Sequence, residues 1–400
     1  MKSIIALILS VVCMLGCATG TEWEAIPQFD SAIADSGAGT DARYSDAWQV
    51  DASYDAIDWD NVCLWCFDAP TSTFEGGPLN TDSGLPRKYV SNDISVAGSV
   101  AVKALTGDSG TYGLDMSTID EIVGNTISSG AVPYDSDGLY YLLTSREIVT
   151  YGGCYSFCGY HLSNAITIDG GQQRFRYAMT LDTEQCPGAC SMFDSVERTP
   201  NQVESADGMV SIIAHELAEA ASDPDPYVQL SWVDGFGEEV GDVCAWDPGK
   251  NVYETDSGAP YNVKIGDRLF LIQRIWKLDR VRSNHCVIGL NEDPGFDTSI
   301  AIPYPHRSRL PNQQDQVLPM EYYGGRVMTN PIHVYWIFYG EWKNRSAVEP
   351  VITDFVNGLP TSPWWKAVSK SYFEEEFSSD GGVDAAAEAS TDAGAMEAGE

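Results

Sequence analysis

Basic residues are scarce in this chain of 400 residues, which has 23 Lys and Arg against 58 Asp and Glu and a formal net charge of −35. Nucleic-acid-binding proteins need Lys and Arg partners for the phosphates, so this balance argues against nucleic acid as a partner. It equally disfavours an anionic membrane surface. Long apolar runs are also lacking beyond the N-terminus, which predicts that the mature chain has no transmembrane segment.

The N-terminus has the pattern of an export signal. Lys2 supplies a positive charge and an apolar run from residue 4 to residue 15 follows. That run is too short for a stable transmembrane helix, so we predict a signal peptide over residues 1–17. Cys17 ends a lipobox-like sequence and is the candidate for acylation, with simple secretion as the alternative. The protein is therefore expected to be extracellular or on the cell surface, as an outer-membrane lipoprotein if Cys17 is acylated.

The cysteines agree with export. Apart from Cys13 and Cys17, their number is even, and in an oxidising compartment this predicts disulfides. The candidates are Cys63, Cys66, Cys154, Cys158, Cys186, Cys190, Cys244 and Cys286. Metal binding by the closely spaced pairs is the less favoured interpretation. Their connectivity cannot be deduced from the spacing.

Acidic, polar segments flank the part of the chain that can form a core. Between residues 18 and 86 the only basic residue is Arg43, and after Lys370 there is none. Such composition predicts flexible or disordered chain. The predicted organisation is an acidic stalk (18–87), a main globular part (88–290), a Pro-rich linker (291–321), a second structured piece (322–373) and a disordered acidic tail (374–400).

Hydrophobic patterning predicts an α+β fold with a mixed sheet and packed helices. We expect strands over 139–143, 174–180, 268–278 and 332–339, and helices capped by Ser117, over 209–221, and capped by Ser346. The second piece is too small to bury a core alone, so it must pack on the main part or on a partner. Trp336, Trp342, Trp364 and Trp365 are expected in the core rather than on a sugar-stacking surface.

Several motifs point to one family. They are CGYH (158–161), CPGAC (186–190), HELAEAASDP (215–224), GDVCAW (241–246), YYGGRVMTNPIHVYWIFYGEW (322–342) and SPWWKAVSKSY (362–372). Together they resemble the EXORDIUM, or phosphate-induced, extracellular proteins of plants and their bacterial relatives. The resemblance implies a surface or wall-associated protein, with a cell-wall glycan or an extracellular protein as its partner.

The order of these motifs departs from the family. There the HVYWIFYG strand and the WWK segment come first, whereas here they follow the linker. We favour a circular permutation, in which the C-terminal strand and helix close a single domain. A truncated tandem copy or a misjoined gene is the alternative. In family order the elements follow the succession of a zincin-like core, which is the predicted fold.

The helix carrying HELAE holds the candidate chemistry. A zincin helix places two metal ligands at i and i+4 and a general base next to the first. His215 and Glu219 have the ligand spacing, and Glu216 has the base position. Pro224 ends the helix, so Asp225 or Asp223 supplies the third ligand in this prediction. The expected cation is zinc, which accepts both imidazole and carboxylate ligands.

Other ligand sets and functions remain open on the sequence alone. Glu239 and Asp242 are the second choice for the third ligand, and His161 is the third choice. The abundance of carboxylates makes calcium the alternative cation. Two functions follow: an extracellular EXORDIUM-like protein with a divalent-metal site, or a secreted zinc-dependent hydrolase (a peptidase) with Glu216 as general base.

Overall fold

The structure is a computed structural model that describes residues 84–104, 113–193, 198–278, 285–289 and 319–375. All of them fall within one compact unit, Pro70–Glu400. The predicted signal peptide, Cys17, the Cys63 and Cys66 pair, and most of the predicted stalk, linker and tail lie outside the described residues. Among the described helices, none has both the length and the apolar character required to cross a bilayer.

The described ranges contain fifteen strands and five helices. The strands are β1 (Arg87–Tyr89), β2 (Ile94–Val102), β3 (Gly138–Thr144), β4 (Gly159–Ile168), β5 (Gly171–Leu181), β6 (Trp232–Val233), β7 (Tyr253–Glu254), β8 (Pro260–Tyr261), β9 (Val263–Ile265), β10 (Arg268–Phe270), β11 (Ile275–Lys277), β12 (His285–Val287), β13 (Glu321–Tyr322), β14 (Ile332–Tyr339) and β15 (Phe373–Glu375). The helices are α1 (Met116–Ser128), α2 (Pro187–Cys190), α3 (Glu204–Ser222), α4 (Arg345–Gly358) and α5 (Pro363–Ser371). Short 3₁₀ turns cover Thr183–Gln185, Asp242–Cys244 and Leu359–Thr361.

A five-stranded mixed sheet, in the order β2-β14-β3-β5-β4, organises the described residues. β14 runs parallel to both β2 and β3, β3 runs parallel to β5, and β4 is the antiparallel edge strand. β14 is therefore second in the sheet although it is the last of the five in the chain. Its near-continuous burial matches its apolar sequence, as expected for a parallel strand covered on both faces.

Helices cover both faces of this sheet. Because side chains alternate along a strand, Val334, Trp336 and Phe338 of β14 join one core with α3, α4 and α5. Tyr335 and Ile337 point to the other face and join a second core with α1. The helix α3 is buried nearly all round, as a central helix between a sheet and other helices must be.

Two short ladders bring sequence-distant segments together. β1 pairs antiparallel with β15, and β13 pairs antiparallel with β6. The segment from β13 to β15 thus packs on the main part through the sheet, these two ladders and helices α4 and α5. Trp364 and Trp365 of α5, together with Trp336, are fully buried, which confirms that they are core residues.

The predicted α+β class with a mixed sheet is confirmed, as are β3, β5, β14 and α3. The long strand expected over 268–278 was wrong: β10 and β11 are separate short strands with irregular chain between them. The predicted helix caps were also wrong, since Asp115 accepts the Thr118 N–H at 2.8 Å in α1 and Asn344 precedes α4. In α1 the carboxylate of Asp115, two residues before Ser117, accepts the N–H of Thr118, which has no partner within the helix.

Candidate metal centre

Helix α3 and strand β4 bring an imidazole and two carboxylates together. Glu216 and Glu219 lie on the side of α3 that faces β4, and both residues are only 3% exposed. Gly159 makes this approach close, because a Cβ atom there would lie 2.7 Å from Ile212 Cγ2 and 3.0 Å from Glu216 Oε1. Two residues further along β4, His161 reaches the same carboxylates.

The ring of His161 is oriented by a backbone carbonyl. Its Nε2 lies 3.0 Å from the carbonyl oxygen of Asp223, the residue that follows α3. A carbonyl oxygen only accepts, so Nε2 carries a proton; in the neutral ring the lone pair is then on Nδ1. Nδ1 faces Glu216 Oε2 at 3.6 Å and Glu219 Oε2 at 3.7 Å. These three atoms are one of the described groups whose geometry suits a metal ion.

A second group shares Glu219 through its other oxygen. His215 Nε2 lies 3.0 Å from Glu219 Oε1 and 3.3 Å from Asp242 Oδ1. Glu219 Oε1 also accepts the backbone N–H groups of Gly241 and Asp242, each at 3.1 Å. The structure thus brings His215 and Glu219 together, with Asp242, one of the second choices for the third ligand, as the other member of this group.

The other predicted ligands lie at the edge of this cluster. Asp225 is held by Arg176, whose Nη2 lies 2.9 Å from its Oδ2. Asp223 is fully buried and its Oδ1 accepts the Ser231 N–H at 3.1 Å. Glu239 Oε1 lies 3.5 Å from His161 Nε2, on the opposite side of the ring from Glu216 and Glu219. In the described structure, neither Asp223 nor Asp225 belongs to a group with metal-binding geometry.

Burial raises the pKa of several of these carboxyl groups. Burial, reinforced by the charge of Asp242 and opposed by His215, raises the pKa of Glu219 to about 7. Burial also raises the pKa of Asp223 to about 7, and with the charge of Glu219 it raises that of Glu239 well above its usual range. Asp242 is only partly buried, and the hydrogen bond and positive charge of His215 outweigh the effect of desolvation and lower its pKa.

The cluster concentrates negative charge away from water. It contains five carboxyl groups and two imidazoles: Glu216, Glu219, Asp223, Glu239, Asp242, His161 and His215. Two imidazoles carry at most two positive charges between them. Buried charges are stable only when paired, neutralised or bound to a metal, so the arrangement favours protons or a cation at this place.

Disulfides fasten the segments that carry the cluster. Three lie within the described residues: Cys154–Cys186, Cys158–Cys190 and Cys244–Cys286. They confirm the predicted disulfides for six of the eight candidate cysteines. Two of them join the closely spaced pair Cys154 and Cys158 to the closely spaced pair Cys186 and Cys190. Cys158 precedes Gly159 of β4, and Cys244 belongs to the 3₁₀ turn that begins at Asp242.

Sequence patterns gave little or no role to some residues of the site. The sequence ranks His161 third among the candidates for the third ligand and indicates no role for Gly159, Gly241 or Gln273. The motifs CGYH and GDVC contain three of them, so their signal was present in the sequence. Gln273 had none, because its contacts to His215 and Gly241 span many residues of chain.

A family model and two curated relatives agree on the family that this chain resembles. Residues 85–287 match the family model described as the phosphate-induced protein 1 conserved region. Protein EXORDIUM-like 5 of Arabidopsis thaliana is 29% identical over 189 residues, covering 40% of this chain and 50% of the relative. Protein EXORDIUM-like 3 of the same plant is 28% identical over 185 residues, covering 40% and 53%.

The chain spans about half the length of the curated relatives it matches. No solved structure matches it, so the predicted zincin-like core stays a prediction. The matched segment contains β1 to β12, with the whole of α3 and every residue of the cluster. The family model covers half of the sequence, and the chain belongs to the phosphate-induced protein 1 family.

Proposed function

We propose that this protein is an extracellular or surface-associated family member that binds one divalent cation between His161, Glu216 and Glu219. The observation that supports this most directly is the convergence of three acceptor atoms. His161 Nδ1, Glu216 Oε2 and Glu219 Oε2 approach one another with separations of 3.6 and 3.7 Å from the imidazole nitrogen. These separations exceed a hydrogen bond, whereas ligands bound at about 2.0–2.2 Å to one cation lie roughly 3–4 Å apart.

The donor set favours zinc. One imidazole and two carboxylates match the ligand types that zinc takes from proteins. Calcium prefers six to eight oxygen ligands and does not use imidazole. Calcium therefore remains the alternative cation only if Glu239 and Asp223 also turn towards the site.

Burial favours a structural role for the cation. The side chains of His161, Glu216 and Glu219 are 3–4% exposed, and a hydrolytic metal needs a coordination position that substrate can reach. Glu216, which the hydrolase alternative uses as general base, lies among the ligands. A cation here would join β4 to α3 and offset the charge that burial makes costly.

The location and the partner rest on other features. Three disulfides are typical of proteins that fold in an oxidising compartment and support export.

A glycan partner would have to use aromatic rings outside the core, and Tyr151 and Tyr155 are 64% and 82% exposed. Both flank Cys154 in a loop that its disulfide with Cys186 fastens.

Metal analysis of the purified full-length protein tests the cation. We expect one equivalent of zinc, lost in His161→Gln and Glu216→Gln, and retained in the control His333→Gln, which lies at the sheet near Asp135. Chelation should lower the melting temperature of the wild type and leave that of Glu216→Gln unchanged, because binding to the folded state alone stabilises it. A wild-type protein that takes up no zinc or calcium, and melts at the same temperature with and without them, would refute the proposal.

A further inference from the structure

The two oxygens of Glu219 have different surroundings. Oε1 accepts the backbone N–H groups of Gly241 and Asp242 at 3.1 Å each and lies 3.0 Å from His215 Nε2. Oε2 faces His161 Nδ1 at 3.7 Å. The two amide N–H groups and the His215 ring therefore already surround Oε1, whereas Oε2 faces the proposed cation.

The ring of His215 is held by Gln273. Gln273 donates through Nε2 to the carbonyl oxygen of Gly241 at 2.8 Å, and its backbone N–H binds Ser211 Oγ at 3.0 Å. These contacts fix the amide, so Gln273 Oε1 is the atom that faces His215 Nδ1 at 3.2 Å. Nδ1 donates to that oxygen, and Nε2 is directed at Glu219 Oε1 and Asp242 Oδ1.

The close approach of the turn requires glycine. A Cβ atom on Gly241 would lie 2.7 Å from Glu219 Oε1 and 2.9 Å from His215 Nδ1. Any side chain there would push the carboxylate and the imidazole out of place. The turn therefore contributes its backbone N–H groups, which act as a small anion-binding site for one end of Glu219.

We propose that His215 is a positioning residue rather than a ligand: with the Gly241–Asp242 turn it fixes Glu219 Oε1, so that Oε2 points at His161. This inference rests on the proposed cation and reverses the role that the HELAE pattern predicts for its histidine. Glu219 belongs both to the group with His161 and to the group with His215, and in this proposal the cation lies on the His161 side. Hydrogen bonds to a metal ligand from residues that do not themselves touch the metal orient that ligand and raise the metal affinity.

Copper(II) loaded into the full-length protein reports the imidazole ligand by pulsed EPR. We expect the signal of one coordinated imidazole in the wild type and in His215→Gln, and its loss in His161→Gln. Zinc stoichiometry should stay at one in His215→Gln and His215→Ala. Loss of the imidazole signal in His215→Gln with retention in His161→Gln would overturn the inference, as would two imidazole signals in the wild type.

Zinc affinity, measured by competition with a chelator, adds a graded readout. His215→Ala should weaken binding by about 10- to 100-fold, the usual effect of removing a hydrogen bond of this kind. His215→Gln keeps an N–H donor for Glu219 and should recover part of that loss, which a merely space-filling residue would not show. Equal affinities in wild type and His215→Ala would refute positioning. Absence of any bound metal in the wild type would instead refute the proposed function itself.

Discussion

Arg87 lies opposite Glu375 in the ladder between β1 and β15, and their side chains form an ion pair with 3.3 Å between Nε and Oε1. The first and last described strands are thus neighbours in an antiparallel pair. Between them in the chain comes nearly all of the described domain. In the predicted circular permutation, this pair is where the chain of the relatives runs on without a break.

A rearranged chain tests that interpretation. We expect that residues 319–375, moved ahead of residue 87 and joined to it by a short turn, fold to the same structure. The reason is that β14 keeps its place between β2 and β3, and a short turn suits an antiparallel pair. Far-UV circular dichroism and a melting temperature within a few degrees of the wild type would agree. A rearranged chain that stays unfolded would count against the permutation.

Gly159→Ala should damage the site where β4 meets α3. The added Cβ would lie 2.7 Å from both Ile212 Cγ2 and the backbone oxygen of Met179. Such overpacking typically costs about 1–3 kcal/mol, and here it should also reduce zinc affinity by moving His161 away from Glu216. Denaturant unfolding and chelator competition measure the two effects. Gly188→Ala is the matched control, since the Cβ atom that it adds would have nothing within 4 Å; equal effects of both substitutions would contradict the prediction.

The disulfides should differ in their contribution to stability. Cys244–Cys286 alone closes a 42-residue separation, so replacing both cysteines by serine should cost about 3–4 kcal/mol. Cys154–Cys186 and Cys158–Cys190 each span 32 residues and run side by side. Removing one leaves the other to close almost the same loop, so the loss should be only about 1–2 kcal/mol. Urea unfolding of the three double-serine variants compares them; a larger loss for Cys154–Cys186 would contradict this ranking.

Stability at acidic pH should depend on Asp135 and His333. Burial raises the pKa of Asp135, but the Asp137 N–H and His333, whose Nδ1 lies 2.6 Å away, together lower it below its ordinary value. A carboxyl group with a lowered folded-state pKa contributes stability above its unfolded pKa of about 3.9, and this is lost as the pH falls through the folded value. We therefore expect a fall in the free energy of unfolding below about pH 4.

His333→Gln should make that acid-induced fall shallower. It should also lower stability at neutral pH by no more than about 1 kcal/mol, because the imidazole is partly exposed. Urea unfolding between about pH 2 and 7, a range that spans the ordinary Asp pKa of about 3.9 and values below it, measures both effects. An unchanged pH dependence in the variant would show that the Asp135–His333 contact does not stabilise the fold.

Hydrophobic patterns in the sequence predicted the strands and helices that bury their own apolar side chains in the core. The apolar runs of β3 and β14 and the helical period of α3 were sufficient, because a buried strand or helix must present apolar residues at fixed intervals. Residues 268–278 show where such patterns fail. Their composition suits a strand, yet residues 271–274 leave the ladder, where Trp364 donates to the Gln273 carbonyl at 2.9 Å.

The sequence by itself determined the disulfide-forming character of the cysteines, the family pattern and the i, i+4 pairing of His215 with Glu219. These depend on composition or on neighbours within one helical turn. Only the tertiary structure decided that His161 joins Glu216 and Glu219, and that a turn around Gly241 binds the other end of Glu219. Those contacts join β4, α3 and a distant loop, and the packing of a strand on a helix sets them through distances that no spacing along the chain encodes.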